Sequence, residues 1–62
     1  MNPYSEEILY NLARELNLDF WEYTEMVSDV LLCRHIKEWT EKIAKSNRKD
    51  LVESFKSVAG EG

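Results

Sequence analysis

Between Pro3 and Gly60 the chain carries neither proline nor glycine. Hairpin turns draw on those residues for positive φ or a fixed φ, so a long stretch without them argues against β-hairpins and for helices. The expected fold class is all-α: a compact three-helix bundle with a short fourth C-terminal helix as an optional element. All 62 residues form one domain at most.

A domain of this size buries only about 60% of the surface its unfolded chain exposes. Such scaffolds rely on disulfides, a metal, self-association or well-packed helices. The single cysteine, Cys33, excludes an intramolecular disulfide, and one Cys with one His (His35) does not supply the four ligands of a structural zinc site. Helix packing remains, with a homo-oligomer as a further option. No cofactor is expected.

The first helix has two readable starts. Ser5 suits an N-cap, with Tyr4 and Leu9 at staple positions; alternatively Asn2 caps and Pro3 takes N1. Glu6 and Glu7 then fall in the first turn, where the macrodipole favours anions. Ile8, Leu9, Leu12, Ala13 and Leu16 recur at helical spacing, and Asn17 suits a left-handed stop. This helix is expected over about 5–16.

Asp19 is the next cap, in capping-box spacing with Glu22, while Leu18 and Tyr23 have staple spacing. Beyond it the apolar residues form two stripes. Phe20, Tyr23, Thr24, Val27, Val30 and Leu31 point one way; Leu32, Ile36, Trp39 and Ile43 point another, roughly 150° away. One straight helix would carry apolar stripes on nearly opposite sides. Either it touches different partners at its two ends, or it breaks near Ser28, a plausible N-cap with Asp29 behind it. The favoured reading is the break, giving helices over about 19–27 and 28–46. In the second of these, Glu38–Lys42 and Glu41–Lys45 suit i,i+4 pairing. After Asn47, Leu51, Phe55 and Val58 suit a helix over 49–59 ended by Gly60; a continuation of the preceding helix, or a segment ordered on binding, fits as well. The expected core is Ile8, Leu12, Leu16, Phe20, Val27, Leu31, Ile36, Trp39 and Ile43.

The charge is uneven. Residues 1–30 hold seven acids and one base, a net −6, and residues 31–62 hold seven bases and five acids, a net +2; together they give the chain's −4. The basic stretch Lys42, Lys45, Arg48 and Lys49 carries an alternative reading as a DNA-binding regulator. Against it, the domain as a whole is acidic, and bases at a helix end also complement the dipole. The first ten residues lack the basic cluster of a secretory leader, and no apolar run approaches the roughly 20 residues of a membrane span. With a lone thiol, the expected compartment is the cytoplasm.

Catalytic chemistry finds no support. Cys33 and His35 diverge by about 200° on a helix, so the expectation is a packed Cys33 and a partly exposed His35. There is no phosphate-cradling glycine loop, nucleophile elbow or EF-hand spacing, and the chain is not expected to be an enzyme. Trp39 belongs to the core stripe. Trp21 lies on the side of Glu25 and Asp29, where it either covers a helix joint or anchors a partner; Trp21, Tyr23 and Glu25 are the candidate partner-binding residues.

The stretch Phe20-Trp21-Glu22-Tyr23-Thr24-Glu25-Met26, followed by Val27 to Trp39, resembles small tailed-bacteriophage proteins encoded among tail-assembly genes. Those proteins have a short helix opening on an aromatic pair and carrying a Thr, here Thr24, before a longer charged helix; the Gly or Pro common after that Thr is absent. The resemblance covers about residues 16–43. It implies a non-enzymatic accessory or adaptor protein that joins or chaperones tail components through protein–protein contacts. The alternatives are the DNA-binding regulator and a homo-oligomeric structural protein whose interface is the a/d-like stripe of the third helix.

Overall fold

The computed structural model describes residues 2–60, and within them every regular element is a helix: α1 (Pro3–Glu15), α2 (Phe20–Leu31), α3 (Ile36–Ala44) and α4 (Lys49–Val58). α1 begins at Asn2, whose side chain accepts from the Ser5 backbone N–H at 2.8 Å, with Pro3 in the first turn. Of the two readable starts this is therefore the one used, and Tyr4 is exposed rather than stapled. α1 ends in a Schellman motif. Leu18 N–H reaches the Ala13 carbonyl, Asn17 N–H reaches that of Arg14, and Asn17 takes the left-handed φ of 62°.

The start of α2 follows its sequence. Asp19 accepts from Glu22 N–H at 2.8 Å, and Glu22 reaches back to Asp19 N–H at 3.2 Å, a complete capping box. Its end does not follow. Ser28 starts no new helix; α2 runs through it to Leu31, and the break falls at residues 32–35. There a second Schellman motif forms, with Arg34 N–H on the Asp29 carbonyl and Cys33 N–H on that of Val30. Its left-handed position holds Cys33 (φ 54°), a residue with no special preference for it, so the stop carries no glycine or asparagine signature. The third helix is accordingly shorter than 28–46.

α4 is a separate helix and a full contributor to the core. Leu51 and Phe55 are buried, Phe55 completely, and α4 makes its main packing contacts with α1 and α3. α1–α2 and α2–α3 close the circuit, and α2 packs more lightly on α1 and α3 than α4 does. Leu9, Leu12 and Ala13 join from α1, Met26 and Val30 from α2, Trp39 and Ile43 from α3. Ile8, Leu16, Val27 and Ile36 pack at the margin.

Two residues expected in the core lie outside it. Phe20 is 68% and Leu31 55% exposed, while Met26 and Asp29 face inward. α2 is thus turned by roughly 90° about its axis relative to the side its apolar residues favour. The reason lies at the α2–α3 joint.

Candidate functional site

Two surfaces of α2 need an account: the side facing α3 and the side facing away from it.

On the α3 side, Asp29 is 3% exposed yet fully partnered. Its Oδ2 accepts from the Trp39 indole Nε1 at 2.7 Å, and its Oδ1 from Arg34 Nε at 2.8 Å, with His35 Nδ1 at 3.4 Å. Its backbone carbonyl also takes Arg34 N–H at 2.9 Å. Burying a carboxylate is costly unless donors replace the lost water, and here they do. Burial alone would raise the carboxyl's pKa. The hydrogen bonds from Trp39, then Arg34 and His35, outweigh it and hold Asp29 below its ordinary value. The same bonds hold two left-handed residues, Cys33 and His35 (φ 56°), on either side of Arg34. Asp29 therefore locks the joint and sets which face of α2 turns inward.

An open cleft of about 310 Å³ lies beside this network, lined by Glu25, Asp29, His35, Glu38, Trp39 and Lys42. Lys42 Nζ lies 4.9 Å from the centre of the Trp39 ring and pairs across the joint with Glu22 at 3.2 Å. The expected Glu38–Lys42 and Glu41–Lys45 pairs are not made. A carboxylate held ionised, with both oxygens engaged by donors, is poorly suited to act as a general base. Among the described residues, no three His, Cys, Asp or Glu side chains are grouped to hold one metal ion. Cys33, expected to be packed, is exposed.

The away side of α2 carries Phe20, Thr24, Val27 and Leu31 at i, i+4, i+7 and i+11, one stripe on a helix. Trp21 flanks it, 77% exposed, and its ring meets Phe20 edge-on at 5.7 Å. Thr24 donates its hydroxyl to the Trp21 carbonyl at 2.9 Å, a bond within the helix. The three candidate partner-binding residues do not share a face. Trp21 and Glu25 are exposed on adjacent turns, and Glu25 lines the cleft. Tyr23 turns towards α1, half-buried, where its ring meets Tyr10 edge-on at 5.9 Å. Burial, then the nearby Glu6 carboxylate and Tyr10, raise the Tyr23 hydroxyl above its ordinary pKa.

The basic stretch is partly neutralised. Arg48 pairs with Asp50 at 2.8 Å and with Glu15 at 3.2 Å, and Lys42 pairs with Glu22. Lys45 and Lys49 are exposed and belong to no ion pair among the described residues. The a/d-like stripe of the third helix is used within the chain: Trp39 and Ile43 are core and Ile36 packs against it, leaving only Leu32 exposed. No described helix is long and apolar enough to cross a membrane.

The Asp29 network is the feature that sequence reasoning missed. Helical periodicity places Asp29 beside Trp21 and Glu25 on a polar side, and its donors come from beyond a helix break that no glycine announces. The one signal in the sequence is the Arg34-His35 pair just past the end of α2, which lies within reach of an acid in the last turn. No protein-family model matches the chain, and no curated protein or solved structure matches it significantly.

Proposed function

We propose that this protein is a small, non-enzymatic protein–protein interaction module that docks a partner on the outer side of α2. The observation that carries the reading is the exposure of Phe20, Trp21 and Leu31 on one helix of a domain whose core is complete without them. Clustered exposed apolar residues mark interaction surfaces, and tryptophan is prominent among interface hot spots. The scaffold, a three-helix bundle closed by α4, presents this surface on a capped helix rather than a loop. The likeness of residues 16–43 to tail-assembly accessory proteins supports an adaptor role of that kind, in the cytoplasm of a bacterial host. The DNA-binding alternative draws less support, because two of its four basic residues already face acids within the chain.

The test compares wild type with Trp21→Ala. Capture of a specific protein from source cells should be lost in the variant, while thermal stability stays within about 1 kcal/mol, as for surface changes. Retained capture would refute the anchor role of Trp21. A variant that unfolds would show that Trp21 supports the fold instead.

A further inference from the structure

The outer stripe of α2 continues into a groove along the seam between α1 and α2. Two hollows meet there and share Glu6 and Tyr23. One, of about 510 Å³, also has Pro3, Glu7 and Tyr10 in its wall. The other, of about 360 Å³, is completed by Thr24, Val27, Ser28 and Leu31. The first is thus acidic and aromatic, and the second sets the apolar Val27 and Leu31 beside Glu6 and the hydroxyls of Thr24 and Ser28. No lysine or arginine lines either hollow, and neither Glu6 nor Glu7 belongs to an ion pair among the described residues.

This arrangement selects its occupant by chemistry. Carboxylates beside two crossed tyrosine rings favour a cation, through charge and through the ring faces. Val27 and Leu31 favour an apolar side chain. Tyr23 to Leu31 spans about 12 Å along α2, a length that a partner helix covers in roughly two turns. A second copy of this chain is a poor fit. Face-to-face pairing of the same surface would offer Glu6 and Glu7 no cation, because no lysine or arginine lines either hollow. Its helices α3 and α4 each balance two acids with two bases and have already turned Trp39, Ile43, Leu51 and Phe55 into the core, so they offer neither a net positive charge nor a free apolar stripe. We infer that the α1–α2 groove binds an amphipathic helix of another protein, with apolar residues seated at Val27 and Leu31 and a lysine or arginine at Glu6, Glu7 and the Tyr10–Tyr23 pair. This rests on the interaction reading above and names the partner's chemistry.

The probe is a synthetic amphipathic peptide of about four helical turns. It carries leucines at i, i+4 and i+7 followed by lysines, and its twin has glutamate for each lysine. Binding is followed by calorimetry and by the NMR signals of Tyr10 and Tyr23. The lysine peptide should bind at least about tenfold more tightly than its twin, and more weakly as salt rises. The double variant Glu6→Gln/Glu7→Gln should lose about tenfold, and Leu31→Asp at least as much, with circular dichroism confirming that both remain folded. No binding, equal binding of the two peptides, or binding indifferent to the glutamine variants overturns the inference. So does sedimentation showing a wild-type dimer that Leu31→Asp dissolves, because the occupant is then a second copy. Should Trp21→Ala abolish capture of a cellular protein that the glutamine variant still captures, the interaction reading stands and this one falls. Should the lysine peptide bind as expected while Trp21→Ala changes no capture, the groove stands and the anchor role of Trp21 falls.

Discussion

α2 and α4 are similar in length and opposite in situation. α4 has few apolar residues, gathered on one side, and that side is buried through Leu51 and Phe55. α2 is richer in them, but they spread around the helix, and part of the set stays in water. The comparison shows that apolar content does not decide how deeply a helix is embedded. A narrow stripe matched to the space between α1 and α3 buries Leu51 and Phe55 and keeps Val52 and Val58 partly covered at its margin. A broad apolar sector exceeds what two neighbours cover, so some other interaction must choose the inward side. In α2 that interaction is polar. Asp29 gains three side-chain donors only when it faces the joint, and this carries Met26 and Val30 inward and leaves Phe20 and Leu31 outside.

The contrast can be broken most severely from the α4 side. Phe55→Ala should cost about 3–5 kcal/mol, the usual range for deleting a buried aromatic, which is a large share of what so small a domain possesses. Chemical denaturation should find the variant largely unfolded. A loss below about 1 kcal/mol would mean that α4 is dispensable.

The next effect belongs to the joint. Asp29→Ala leaves the Trp39 indole N–H buried without its acceptor and should cost about 3 kcal/mol. Acid provides a gentler version. The folded-state pKa of Asp29 lies below its unfolded value of about 4, so the unfolded state takes up the proton first. The stabilisation is complete above that value and is lost as pH falls through the folded one. Asp50, lowered by its hydrogen bonds from Arg48, acts with the same sign. Asp29→Asn should therefore be less stable at neutral pH and show a flatter loss of stability below about pH 4. An unchanged acid profile would show that Asp29 does not lock the joint.

A smaller effect, of opposite sign, is expected at Cys33. It is exposed and left-handed, so Cys33→Gly should stabilise the protein by about 0.5–1 kcal/mol, seen as a higher denaturation midpoint. Destabilisation would mean that the side chain is needed there. The smallest effect belongs to the outer side of α2, where Leu31→Ala should change stability by no more than about 0.5 kcal/mol. A loss like that of Phe55→Ala would erase the distinction between the two helices.

Much of the architecture was legible in the chain, and the errors share a cause. The helical class, the capping box at Asp19 and the stops at Asn17 and Gly60 depend on neighbours a few residues apart, which the sequence places next to one another. So does the inward stripe of α1 and α4, because a helix with one apolar side has one way to bury it. The position of the α2–α3 break was not legible, since Cys33 occupies a place that usually announces itself with glycine. The candidate partner-binding residues were not legible as one surface: Trp21 stands exposed, Tyr23 turns to α1 and Glu25 lines the cleft.

What the sequence determined by itself is what local hydrogen bonds and periodicity encode: helices, most of their ends, and the stripes of α1 and α4. Only the tertiary structure decided the rotation of α2, the burial of Asp29 and the exposure of Phe20 and Leu31. Those depend on Trp39 and Asp29 meeting across a helix break. The gain from pairing a buried carboxylate arises only when the donors of two separate segments converge, and no local pattern records that meeting.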